Sequence, residues 1–300
     1  MSTTTLRTAD LPTLATALND QRTRAVDVVM PAKSITVEGG QFLLSGLDPQ
    51  ISDDGVTDVN GAYQPTRVAD EGIAAKLEIP GGYLRRMRDG ATDLYDANVN
   101  GWLSRDSRKF LVRMLRSQDG DGPGVVRAFL SDTYRTIDNF DVLLASLKGM
   151  REAGVETPII DADLTDRRMI VRVHVPEVSA LAPVLLTGYR SPLGGQVKST
   201  DPVVFAGFVI TNSETGGGAF NITPRLVVQI CTNGMTITAD ALRKVHLGGR
   251  LDEGVVKWSE ATAAANLALV TSQTTDAVAQ FISQDYLAEQ IAKIERTAGE

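Results

Sequence analysis

Three groups of side chains in this sequence have the types and spacing to do chemistry. The first is Ser213-Glu214-Thr215-Gly216-Gly217-Gly218, a hydroxyl and a carboxylate ahead of three glycines. Glycine backbone takes positive φ freely, so successive N–H groups there can converge on an anion. The run lacks the lysine of a Walker loop, and nucleotide hydrolysis is not expected from it. A tight hairpin turn accounts for it equally well, with Glu214 capping nearby amides or pairing with an arginine from another part of a sheet. The second group is Cys231 with His246, the one thiol and one of two imidazoles in the chain. A nucleophile needs such a base within hydrogen-bond reach. Yet Cys231 lies in an apolar β-branched run, where a thiol is expected to be buried and inert. His246, just before Leu247-Gly248, suits a helix end. The third group is Asp161, Asp163 and Asp166, which could hold magnesium but fall in a predicted turn, where aspartates are favoured anyway. No cofactor or metal is expected.

Arginine is the more telling residue. Arg113, Arg127, Arg135, Arg167, Arg168 and Arg172 lie on or beside predicted strands, and Tyr134 and Trp102 sit next to arginines in the sequence. Cations that follow phosphates, with flat rings for bases to stack on, are what single-strand binding requires. Ordinary ion pairing with Asp132, Asp138, Asp163 and Asp166 is the competing account. Between residues 81 and 116 there are eight basic side chains against four acidic ones, although the chain as a whole carries a net charge of −7. That balance excludes indiscriminate nucleic-acid binding and leaves a local basic surface. Within it, Ala75–Arg88 reads as a helix, a turn at Ile79-Pro80 and an arginine-rich helix. This is the outline of a DNA-reading helix-turn-helix, and also of a common packing pair.

The elements that must position these groups follow from the hydrophobic pattern. Ser34–Val37 and Phe42–Ser45 form a hairpin around Gly39-Gly40. Leu111–Leu115 and Val125–Leu130 are strands, with Arg113 and Arg127 expected on sheet surfaces, the latter sharing a face with Phe129. Asp138–Met150 is an amphipathic helix. Met169–Val175 alternates apolar residues with Arg172 and His174, the mark of an antiparallel sheet covered on one face. Phe205–Ile210 and Arg225–Cys231 are strands across the glycine-rich turn. Residues 253–296 are almost continuously helix-compatible and suit either covering the sheet or subunit contacts. The chain is therefore α+β: an N-terminal α+β subdomain over 1–107, a central antiparallel-sheet domain with helices on one side over 108–250, and a helical region over 251–300. No apolar run approaches the ~20 residues of a membrane helix. The single cysteine excludes an internal disulfide and fits a reducing cytoplasm.

With the strands placed, a resemblance emerges. Arg127-Ala128-Phe129-Leu130-Ser131-Asp132-Thr133-Tyr134-Arg135 followed by Ile137-Asp138-Asn139, then Ser213-Glu214-Thr215-Gly216, then Cys231-Thr232-Asn233-Gly234-Met235 with Val245-His246-Leu247-Gly248 downstream, resemble in their order a phage- and plasmid-borne family. It is catalogued as domain of unknown function number 932. The likeness spans roughly residues 65–270 and also touches, more remotely, the single-strand annealing proteins of mobile elements, including the Rad52-like group. It implies a bacterial, cytoplasmic, oligomeric protein that binds single-stranded DNA and promotes annealing or recombination without a chemical step. Arg113, Arg127, Tyr134, Arg135, Arg167, Arg168 and Arg172 are then the strand contacts. Ser213, Glu214, Gly216 and Gly217 would shape the groove. A helix-turn-helix regulator and a metal-dependent nucleic-acid enzyme are the alternatives.

Overall fold

The computed structural model describes residues 4–298 apart from 48–49, 53–54, 119–121, 135–136, 157–158, 183–202, 230–234, 239–241, 245–253 and 256–259. The chain begins with β1 (Leu6–Ala9) and α1 (Leu11–Arg24). Asp10 caps α1 by accepting the Thr13 N–H at 2.9 Å, and Pro12 sits in the first turn, where its missing N–H costs nothing. β2 (Ala25–Pro31) leads to the hairpin β3 (Thr36–Glu38) and β4 (Gln41–Leu44), turned by Gly39 and Gly40 at positive φ. A small pair, β5 (Gln50–Ser52) and β6 (Gly55–Thr57), precedes β7 (Gly61–Pro65). Then come three helices: α2 (Arg67–Leu77), α3 (Gly81–Gly90) and α4 (Thr92–Leu103). Thr66 Oγ1 caps α2 by accepting the Ala69 N–H at 3.1 Å, and Glu78 ends it in the left-handed region. β8 (Lys109–Leu115) and β9 (Gly124–Ser131) follow.

These strands make the first sheet, in the order β16-β2-β8-β9-β7-β4-β3, where β16 (Gly254–Val255) returns from far along the chain. Its one parallel pairing is β7 with β9. One face packs against the three helices through Val28, Phe42, Phe110, Val112, Phe129, Ile73, Leu84 and Tyr95. The Phe110 and Phe129 rings lie 4.6 Å apart.

The second sheet follows α5 (Asn139–Glu152). It comprises β10 (Ile159–Leu164), β11 (Met169–Leu181), β12 (Val203–Asn212), β13 (Phe220–Gln229), β14 (Met235–Thr238) and β15 (Leu242–Lys244). It is antiparallel throughout, ordered β1-β10-β11-β12-β13-β14, with β15 on β13. The alternation read in β11 holds. Val171, Val173 and Val175 are buried, while Ile170, Arg172 and His174 are half-buried on the other face. α1, α5 and α6 (Glu260–Phe281) cover the buried side through Leu14, Leu18, Val142, Val270 and Val278. α7 (Gln284–Ala298) packs Leu287 and Ile291 against Val204 and Leu226. The C-terminal helices thus cover the sheet, and the architecture is α+β.

Two expectations need correction. β8 and β9 do not continue into the sheet of 159–229. β8 pairs with β2 over the whole span from Ala25↔Leu115 to Pro31↔Lys109, and the first sheet therefore runs past residue 107 to Ser131. Conversely, β1 leaves the N-terminal segment to edge the second sheet. The polar stretch between β4 and α2 holds the β5–β6 pair and β7.

The contact of α5 with α6 depends on Gly149. A Cβ there would lie 2.8 Å from Thr274 Cβ and 2.9 Å from the Thr271 carbonyl oxygen. Gly149→Ala is expected to cost about 1–3 kcal/mol by overpacking, measured by urea unfolding. Gly82→Ala, in α3 with nothing within 4 Å of the added atom, is the control that stays neutral or gains slightly.

Candidate functional site

The most chemically dense region lies where the two sheets meet. Asp27 of β2 is the direct cross-strand partner of Arg113 on β8. Arg113 Nε sits 2.9 Å from both Asp27 oxygens, and its two terminal nitrogens donate to Asp138 Oδ1 at 2.7 Å and to the Glu214 carbonyl oxygen at 2.8 Å. Arg127 reaches the same place by a β-bulge. Register passes from Arg113↔Ala128 to Met114↔Val126, which leaves Arg127 as the extra residue. The bulge separates its direction from that of Phe129, which packs in the first core. Arg127 Nη2 donates to Glu214 Oε1, while Glu214 Oε2 accepts the Asn139 N–H at 3.1 Å in the first turn of α5. Glu214 therefore both caps an amide and pairs with an arginine of the other sheet.

The glycine-rich loop closes on this network rather than opening to a ligand. Ser213 Oγ donates to the Arg167 carbonyl at 2.6 Å and accepts the Gly217 N–H at 2.8 Å. Thr215 Oγ1 donates to the Asp166 carbonyl at 3.0 Å, and Tyr134 Oη to the Ser213 carbonyl at 3.3 Å. Cβ atoms on Gly216 and Gly217 would lie 2.7 Å from Leu130 Cδ2 and 2.6 Å from Arg167 Cγ. Positive φ at Gly216 and close packing at Gly217 are what require glycine here.

Electrostatics in the network are divided. Burial raises the Asp27 carboxyl above its ordinary value despite the pull of Arg113. Burial also pushes Asp138 up, but the Arg113 guanidinium and its hydrogen bond, helped by Arg127, outweigh it and hold Asp138 below the usual range, although part of its side chain meets solvent. Burial works against the charge on Arg113 too, and Asp27, Asp138 and Glu214 together overcome it and keep the guanidinium firmly protonated. Such an arrangement offers no nucleophile. It joins two sheets.

Arg113, Arg127 and Arg172 are accordingly not a free cationic surface. Arg113 and Arg127 are 2% and 6% exposed and neutralised by carboxylates. Arg172 is tied to Asp161 at 2.6 Å and to Asp163, its neighbours on β10. Arg167 pairs with Glu71 of α2. Tyr134 is half-buried against the loop. Arg168 is exposed, and Arg135, Cys231 and His246 lie outside the described residues. Among the described residues no cluster of three or more His, Cys, Asp or Glu side chains is placed to hold a metal ion. No described helix is long and apolar enough to cross a membrane.

A different basic surface is available on the first sheet's helices. α3 turns Leu84 and Met87 inward and presents Tyr83, 50% exposed, with Arg85 and Arg86 to solvent. Neither arginine has an ion-pair partner among the described residues. Arg88, by contrast, is structural. It binds Asp70 at 2.8 Å and the Gly40 carbonyl at 2.9 Å, with its guanidinium 3.9 Å from the Tyr95 ring centre. At the end of α4, Trp102 is 52% exposed over a cleft lined by Lys76, Arg105 and Arg108 and by the carboxylates Glu78 and Asp106. Arg108 is held by Asp106 at 2.6 Å, whereas Arg105, just beyond the end of α4, donates to the Gly101 carbonyl and has no ion-pair partner among the described residues. The sequence signals for this surface were the basic balance of 81–116 and the Trp102–Arg105 pairing. No protein-family model, curated protein or solved structure matches the chain.

Proposed function

We propose that the protein binds single-stranded DNA without a chemical step, and that α3 and the end of α4 make the contact. The observation that carries this reading is the exposure of Arg85 and Arg86, unpaired, beside exposed Tyr83. Trp102 with Arg105 extends the same combination of ring and cation. Phosphates follow unpaired guanidinium groups, and bases stack on exposed rings without regard to sequence. Annealing of complementary strands by an oligomer is the activity that the resemblance to mobile-element proteins adds, and mass photometry with DNA present tests the assembly.

One observation favours a second reading. α2, the short turn Glu78–Pro80 and α3 are arranged in order as a helix-turn-helix, with α3 carrying the free arginines. Duplex recognition would use that helix in a major groove. Fluorescence anisotropy with labelled single- and double-stranded oligonucleotides separates the two. Single-strand binding is expected to be sequence-independent, with a log–log salt slope of about −2 for three phosphate contacts. Preference for one duplex sequence by about 4–10 kcal/mol would favour the helix-turn-helix instead. Failure to bind either nucleic acid at low salt overturns both readings.

A further inference from the structure

The cleft beside Trp102 lies between the ends of two helices, and Arg108 ties them together. Its Nη2 donates to the Lys76 carbonyl of α2 and to Asp106 Oδ2, both at 2.6 Å, while its Nε donates to Asp106 Oδ1 at 3.0 Å. The space between measures about 470 Å³, within the range of small-molecule sites. Leu77, itself buried, gives the cleft an apolar lining opposite the polar groups of its rim.

The charged side chains that line it divide into committed and free. Arg108 and Asp106 satisfy each other, and the Arg108 hydrogen bond holds the Asp106 carboxyl below its ordinary value. Lys76, Arg105 and Glu78 remain, none with an ion-pair partner among the described residues. Glu78 is the most informative. It ends α2 at φ 56° and ψ 32°, a left-handed position closed by the Ile79 N–H on the Ala74 carbonyl at 2.9 Å. Glycine is the residue this position favours. A glutamate there is conformationally costly, and its exposed carboxylate, which reaches Arg108 by charge alone, makes no hydrogen bond among the described residues to offset that. Backbone outliers of this kind cluster at ligand sites.

A ring to stack on, two free cations and one free acceptor match a nucleotide more fully than a bare phosphate. An ionised carboxylate only accepts hydrogen bonds, through two oxygens. Guanine offers it two adjacent donors, N1–H and the N2 amino group, whereas the other bases each place an acceptor beside their donor. We propose that the cleft seats one guanine nucleotide, with the base on Trp102, its N1–H and N2 amino group donating to Glu78, and its phosphate held by Arg105 and Lys76. This rests on the single-strand reading, in which any base stacks on Trp102, and adds to it a preference for guanine at that one position.

Labelled oligothymidylates with one central guanine, hypoxanthine or adenine are titrated at the same low salt. The guanine strand is expected to bind about tenfold more tightly than the adenine strand, the scale of one bidentate contact. Hypoxanthine keeps N1–H and lacks the amino group, and falls between them. Glu78→Gly should bring the guanine-to-adenine ratio to about one, while its denaturant midpoint stays level or rises, since glycine suits the left-handed position. A Glu78 that served only the fold would lower the midpoint and leave the ratio alone. Tryptophan fluorescence with 5′-GMP against 5′-AMP separates the two sources of the nucleotide; Trp258 is the chain's other tryptophan, so Trp102→Phe identifies the signal. A guanine preference among strands without quenching by GMP assigns the seat to a base of the strand. Saturable quenching by GMP alone, lost in Glu78→Gly, assigns it to the free nucleotide even where no strand binds, and the strand reading then fails by itself. Neither a base preference nor quenching specific to GMP overturns the guanine seat, and undiminished strand binding in that case leaves the α3 reading standing.

Discussion

Glu214→Gln is expected to lower the free energy of unfolding by about 3–5 kcal/mol, because it removes the carboxylate that a buried arginine depends on. Arg127 is 6% exposed, and its ion pair is with Glu214. A neutral amide keeps the shape and part of the hydrogen bonding, but it removes the carboxylate in direct contact with the buried guanidinium and leaves it only the more distant Asp27, Asp138 and Asp166. It also weakens the cap on α5, whose first-turn Asn139 N–H now meets a carboxylate oxygen. The pair as a whole is a different matter. Replacing both partners by apolar residues, Arg127→Met with Glu214→Leu, is expected to cost less than the single change, since no charge is then stranded. Denaturant unfolding of the two singles and the double variant measures this. Additive losses would show that the two side chains do not depend on each other.

Arg113→Met is the second large effect, again about 3–5 kcal/mol near neutral pH, and its signature is in the pH profile. Arg113 holds Asp138 below its ordinary value, so in the parent protein Asp138 contributes stability above the unfolded carboxyl pKa and loses it as pH falls through the depressed folded value. Asp27 works the other way. Raised by burial, it favours the folded state while protonated and weakens it as pH rises through the carboxylate range. Without Arg113, both carboxyls are raised by burial and both follow the Asp27 pattern. The deficit of Arg113→Met should therefore shrink as pH is lowered from about 7 toward about 4. A deficit that stays constant across that range would mean that packing, not charge, accounts for the loss.

The α+β class and many of the elements were legible because their patterns have a single reading. β11 alternates apolar and polar residues, and the Gly39-Gly40 turn and the α2–turn–α3 unit carry their own breakers. Sheet membership was not legible for β8 and β9. β8 is buried on both faces from Phe110 to Leu115, so its pattern does not say which layer covers it. The roles of the strand arginines were hidden for two physical reasons. The Asp27 partner of Arg113 lies 86 residues away, and the Glu214 partner of Arg127 lies 87 away, so no local spacing signals either pair. The direction of Arg127 depends on a bulge, which shifts the two-residue period by one and puts a residue expected beside Phe129 on the opposite side. An arginine on a strand thus reads as surface until its carboxylates are located. The α3 arginines were visible from the start as a helix face, and there helical period and exposure agree.

The placement of binding on α3 rather than on the sheet is tested most directly by one comparison. Labelled oligothymidylate is titrated with the parent protein and with Arg85→Ala/Arg86→Ala at the same low salt, with circular dichroism to confirm folding. The double variant is expected to bind at least about tenfold more weakly, with a salt slope smaller in magnitude by about 1.4. Undiminished affinity and slope in a folded double variant would contradict the assignment.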